Sequence, residues 1–167
     1  MKNIILIGMP GSGKTSIGKK LAMALGKEFF DSDAVFEESK NIKITDFFAS
    51  YGESSFRNEE TKILTELCKK KAAIISTGGG IVERNENKDI LKQGGTVIFI
   101  NRPVELIAGD IDSSNRPLLK NGKERLFELY KRRIEKYKDF CDIEIDNTAD
   151  LNSAVEKIIN EVNSQNG

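Results

Sequence analysis

The sequence predicts an α/β fold in which a five-stranded parallel sheet lies between two layers of helices. Three observations carry this expectation. Short aliphatic runs alternate with longer amphipathic segments, the pattern of βα units. The runs are rich in Ile and Val, as strands covered on both faces are. The chain has 167 residues, the length of one domain, and folding should bury roughly 68–70% of its surface. In order, Asn3–Ile7 reads as the first strand, and Lys14–Leu25 follows as a helix with Ile17, Leu21 and Leu25 on one face. Residues 28–30 form a short second strand. Residues 54–70, with Ile63, Leu64 and Leu67 on one stripe, form the next helix, and residues 72–76 the third strand. Residues 96–100 are the fourth strand, and residues 123–137 a penultimate helix. Residues 142–145 read DIEI and alternate as an edge strand does. Residues 150–162 close the chain as a helix behind Asp150 as N-cap, with a fraying polar end at 163–167. Two stretches resist the scheme. Residues 40–52 read as a short half-buried insertion, and the polar segment 109–122 as a lid.

Composition excludes several classes of function. Lys plus Arg is 26 and Asp plus Glu is 26, so no global field draws in nucleic acid or an acidic membrane, and any anion site is local. Histidine is absent, which removes a Ser/His/Asp triad, a Cys/His dyad and imidazole-based zinc sites. Catalysis must then use carboxylates, cations, backbone amides or metal. The two cysteines, Cys68 and Cys141, lie far apart and imply a reduced, cytoplasmic setting. Ile4 to Ile7 is an apolar run of only four residues, too short for an export signal or a membrane span.

Directly after the first strand stands Gly8-Met9-Pro10-Gly11-Ser12-Gly13-Lys14-Thr15, which satisfies G-x-x-x-x-G-K-[ST] and opens a helix. Glycines let successive backbone N–H groups turn inward around a phosphate, and the helix N-terminus adds its positive dipole end. Nucleotide binding is thus expected at Gly11, Ser12, Gly13, Lys14, Thr15 and Ser16, with Lys14 on the terminal phosphates and Thr15 on Mg²⁺. Neither N-K-x-D nor D-x-x-G occurs, which argues against a GTPase and for a small-molecule phosphotransferase.

Asp31 and Asp33 follow the second strand, at the sheet edge where ligands of such folds sit. Paired carboxylates can hold Mg²⁺ through water or orient an attacking hydroxyl, although either could simply cap a helix. Arg57 lies in GESSFR and could pair with the Glu-rich helix around it. Gly78, Gly79 and Gly80 end the third strand, where glycines permit close ligand approach or a plain tight turn.

Together GMPGSGKT, D-S-D, GESSFR, TGGG, the R-P-L-L at Arg116 and the R-x-x-x-Y from Arg133 to Tyr137 give a chain that resembles the shikimate kinases nearly end to end. The resemblance implies a P-loop kinase-type three-layer sandwich, one domain over 1–167, with a lid at about 109–122 and a substrate-binding region at about 31–60. It implies ATP-dependent phosphorylation of the 3-hydroxyl of shikimate with Mg²⁺, by a cytoplasmic protein, expected to be a monomer, with no nucleic-acid or membrane partner. The catalytic residues would be Lys14, Asp33 and Arg116, and the metal residues Thr15 and Asp31. Asp33, Arg57, Gly79, Gly80 and Arg133 would bind substrate, the two arginines clamping its carboxylate. Family members carry an adenine-stacking Arg where this chain has Gly109. Gluconate kinase is the rival enzyme, and a catalytically poor nucleotide-binding module the rival of another class.

Overall fold

Five parallel strands form one sheet in the order β2-β3-β1-β4-β5: β1 (Asn3–Ile7), β2 (Phe29–Asp31), β3 (Ile74–Ser76), β4 (Gly95–Asn101) and β5 (Ile143–Asp146). The structure is a computed structural model that describes residues 1–112 and 120–166. The helices are α1 (Lys14–Leu25), α2 (Ser32–Lys40), α3 (Ile44–Cys68), α4 (Glu86–Gly94), α5 (Val104–Asp112), α6 (Lys120–Phe140) and α7 (Leu151–Asn166), with a 3-10 turn at Gly79–Glu83.

The alternation of side chains along each strand divides the core in two. Ile4, Leu6, Ile98 and Ile100 point to the face covered by α1 and α7, through Ile17, Leu21, Ala154 and Ile158. Ile5, Ile7, Val97 and Phe99 point to the other, covered through Leu64, Leu91, Ile107 and Tyr137. This is the expected three-layer sandwich, and β5, with alternate residues exposed, is the expected edge. Asp150 caps α7 as expected, its Oδ1 accepting from the backbone N of Ser153 at 2.7 Å.

The departures have local causes. The insertion expected at 40–52 is in fact helical from Ile44, and Gly52, at φ 82, kinks α3 rather than ending it. Phe47 and Phe48 of this segment pack on Phe36 and Phe56, with centroids 4.7 to 6.4 Å apart, so tertiary packing stabilises a segment too short to be a helix alone. Of the segment 109–122 expected as a lid, residues 109–112 continue α5, residues 120–122 begin α6, and 113–119 lie outside the described residues. The C-terminal residues 163–166, expected to fray, extend α7.

Candidate active site

Because all strands run the same way, their carboxyl ends gather five segments at one rim. They are the glycine loop after β1, Asp31 closing β2, Thr77 to Gly80 after β3, Arg102 after β4 and Asn147 after β5. The loop is closed by the N–H of Ser12 donating to the Met9 carbonyl at 3.1 Å. Gly13, at φ 97, caps α1 in a conformation that disfavours a β-carbon. From the far side Asn147 Nδ2 donates to the Ser12 carbonyl at 2.9 Å. Lys14 is buried, and its Nζ donates to the carbonyls of Gly8 at 2.7 Å and Met9 at 2.8 Å. Burial lowers its pKa from 10.5 to about 8, against the opposing charges of Asp33 and Asp31.

Asp31 does two things at once. Its Oδ1 accepts from the backbone N of Asp33 at 3.0 Å and of Ala34 at 3.2 Å, capping α2. Its Oδ2 accepts the Thr15 hydroxyl at 2.8 Å. The capping reading and the loop-facing reading are therefore both met. Asp33 sits in the first turn of α2, and burial, with Asp31 beside it, raises its carboxyl above the ordinary value while Lys14 and Arg57 pull the other way. A β-carbon at Gly78 would stand 2.7 Å from Asp33 Oδ1 and 3.1 Å from Glu60 Oε2, so only glycine lets these carboxylates approach the β3 rim.

Arg57 does pair with glutamates of its own helix, but in the interior. It is 8% exposed, and its Nη1 donates to Glu60 Oε1 at 2.8 Å. Its Nε has no partner among the described residues, a costly state for a buried donor. Sequence reasoning missed Glu60, 4% exposed, whose carboxyl burial pushes up although Arg57 opposes this. The signal was its place three residues after Arg57, on the same face of α3. Gly80 passes so close that a β-carbon there would lie 2.5 Å from Arg57 Cζ.

Arg133, which the basic run KRR made a candidate for a solvated cation, is 6% exposed, and its Nε donates to Glu83 Oε1 at 2.8 Å. One turn on, Tyr137 is fully buried and stacked on Phe99 at 5.0 Å. Its hydroxyl donates to the Gly79 carbonyl at 2.6 Å. Helix α6 thereby reaches the glycine turn through two side chains.

A cavity of about 420 Å³ is lined by Gly11, Gly13, Lys14, Thr15, Ser16, Asp31, Asp33 and Gly79, together with Pro10, Thr77 and Gly78. Arg57, Gly80 and Arg133 are not in its wall, yet Asp33 feels the charges of Lys14 and Arg57, and Lys14 that of Arg133. Ser12 is buried within the loop. Arg116 lies outside the described residues. No helix among the described residues is long and apolar enough to cross a membrane.

The family model for shikimate kinase matches residues 10–163. The chain belongs to the shikimate kinase family. A shikimate kinase of Clostridium botulinum (strain Eklund 17B / Type B) is 46% identical over 95% of this chain and 96% of its own. Among solved structures, the shikimate kinase from Acinetobacter baumannii in complex with shikimate superposes with a TM-score of 0.91 at 36% identity, covering 99% of this chain and 94% of that one. The shikimate kinase of Aquifex aeolicus gives 0.86 at 31%, covering 98% and 97%. Membership in the shikimate kinase family sets the gluconate kinase alternative aside.

Proposed function

We propose that this chain transfers the γ-phosphoryl group of ATP to the 3-hydroxyl of shikimate, giving shikimate 3-phosphate and ADP on the path to chorismate and the aromatic amino acids, and that residues 1–167 do so as one monomeric domain. The observation that carries the reading is the meeting of a phosphate loop with half-buried aspartates and buried guanidinium groups at a single sheet rim. Amides of Gly11 to Ser16 cradle the phosphates, and Lys14 leaves the Gly8 and Met9 carbonyls for the transferring group. Asp33, within reach of Lys14's field, aims the acceptor hydroxyl and takes its proton, a task its raised pKa suits. The Arg57 Nε, short of a partner among the described residues, and the Arg133 edge bind the substrate carboxylate, with the Gly79 and Gly80 amides beside them. Arg116 is assigned charge neutralisation on the sequence alone.

The Thr15 hydroxyl and Asp31 Oδ2, 2.8 Å apart, are hard oxygen donors at the loop's edge, and this pair fits Mg²⁺, which is held by few protein groups and completes its shell with water and phosphate oxygens. The ion supplies charge neutralisation at the phosphates.

A coupled ADP-release assay tests the reaction: turnover with shikimate and none with gluconate is expected, and the reverse result would overturn the assignment. The low pKa of Lys14 makes nucleotide affinity pH-dependent. The ammonium must be charged to meet phosphate, so the Kd for ATP is expected to be flat below pH 8 and to rise by up to about tenfold per pH unit above it, by calorimetry. Stability of the nucleotide-free protein runs the other way. Between about 8 and 10.5 the unfolded chain keeps the Lys14 proton that the folded chain has lost, so this group's contribution falls as pH drops through that window. Tyr137→Phe removes the donor to Gly79 and should raise the KM for shikimate about five-fold, leaving the KM for ATP unchanged. A parallel rise in both constants would show Tyr137 to be a packing residue only.

A further inference from the structure

A second cavity, of about 540 Å³, adjoins the glycine loop on the side away from Asp33, and Gly11, Gly13 and Ser16 line both spaces. Its other walls come from Arg102, Asp110, Lys20, Asn147 and residues 149–152. The space continues from the loop glycines, so it is open to the remainder of a nucleotide whose phosphates the loop holds, and among the described lining residues there is no aromatic side chain to receive a flat ring.

Arg102 is the arginine of this wall. Its side chain is 16% exposed. Nε donates to Asp110 Oδ2 at 2.9 Å, Nη2 to Asp110 Oδ1 at 3.2 Å, and Nη1 to the Asn147 carbonyl at 2.8 Å. Every nitrogen is thus hydrogen-bonded at the edge of the group, which restrains the guanidinium and leaves its faces without a hydrogen-bonding role. The Asp110 carboxylate also offsets its charge, which weakens any pull on phosphate but leaves the planar stacking surface intact. We propose that Arg102, locked edge-on by Asp110 and Asn147, is the plate on which the purine of the nucleotide stacks, and that it sets the preference for a base-bearing triphosphate. Leu151, on the same cavity, supplies apolar cover. This deepens the proposed function by naming how its co-substrate is read, and it rests on the loop holding the phosphates.

Calorimetry with ATP and with inorganic tripolyphosphate separates the possibilities. In the unsubstituted chain ATP should bind more tightly than tripolyphosphate. Arg102→Met should weaken ATP about tenfold and leave tripolyphosphate unchanged. Arg102→Lys, which keeps the charge and loses the plane, should weaken ATP to a similar extent, and a melting curve without nucleotide checks that both variants fold. Equal weakening of both ligands, full rescue by Lys, or no change in ATP affinity would each overturn the stacking role. An unsubstituted chain that binds ATP with this base preference yet does not phosphorylate shikimate would overturn the proposed function and leave the plate standing.

Discussion

Asp33→Asn is expected to lower shikimate phosphorylation by about 10² to 10⁴-fold while the Kd for ATP stays within about twofold. Asn keeps the shape and can still accept a hydrogen bond from the substrate hydroxyl, but it cannot take the proton. The same change should raise the melting temperature slightly. Burial penalises the charged carboxylate, as its raised pKa records, so native stability from this group is largest at acid pH and is lost as pH rises through the folded pKa. An uncharged amide removes that penalty, and activity and stability then move in opposite directions. Single-turnover kinetics with shikimate measures the first effect and calorimetric melting the second. Turnover reduced less than tenfold would leave Asp33 as an orienting group only.

Arg57→Ala should nearly abolish shikimate binding and also destabilise the fold by about 3–5 kcal/mol, because it strands a buried carboxylate. Glu60 is 4% exposed and has Arg57 Nη1 at 2.8 Å, and burial already pushes its carboxyl up. Without the cation it should protonate more readily still, so the variant should lose stability as pH rises above the carboxylate range, a sharper loss than the parent shows. The double variant Arg57→Ala/Glu60→Gln separates the two roles. It should recover most of the stability and none of the shikimate affinity. Recovery of affinity with stability would falsify the clamp and leave Arg57 as a fold residue.

Strand positions were legible in the sequence because buried aliphatic runs such as Asn3–Ile7 and the DIEI edge carry their environment in their composition. The loop was legible because its glycines recur at a spacing set by the backbone itself, with positive φ at Gly8, Gly11 and Gly13. Helix α2 was not, since its start depends on Asp31 serving as cap, and a cap is visible only once the following residues are known to be helical. Helix α3 was hidden at Gly52, whose left-handed φ reads as an end but is a kink held by the Phe36, Phe47 and Phe56 rings. At the site, residue types were readable and pairings were not. Arg57, Arg133 and Glu60 are ordinary surface residues by type, and the neighbours that enclose them, Gly80 for Arg57, Gly78 for Glu60 and Glu83 for Arg133, come from segments distant in the chain. Arg102 shows the same limit, since Asp110 and the Asn147 carbonyl define its role.

The bond from Tyr137 to the Gly79 carbonyl also has a mechanical meaning. It fastens one end of α6, a 21-residue rod that starts at Lys120, and the span from fastening to first residue is roughly 25 Å at 1.5 Å per residue. A swing of about 5° around that fulcrum carries the tip through about 2 Å and scarcely moves Arg133, one turn from the pin. A tilt of the rod on this pin would thus combine travel at its start with near stillness at the guanidinium, without unwinding a turn.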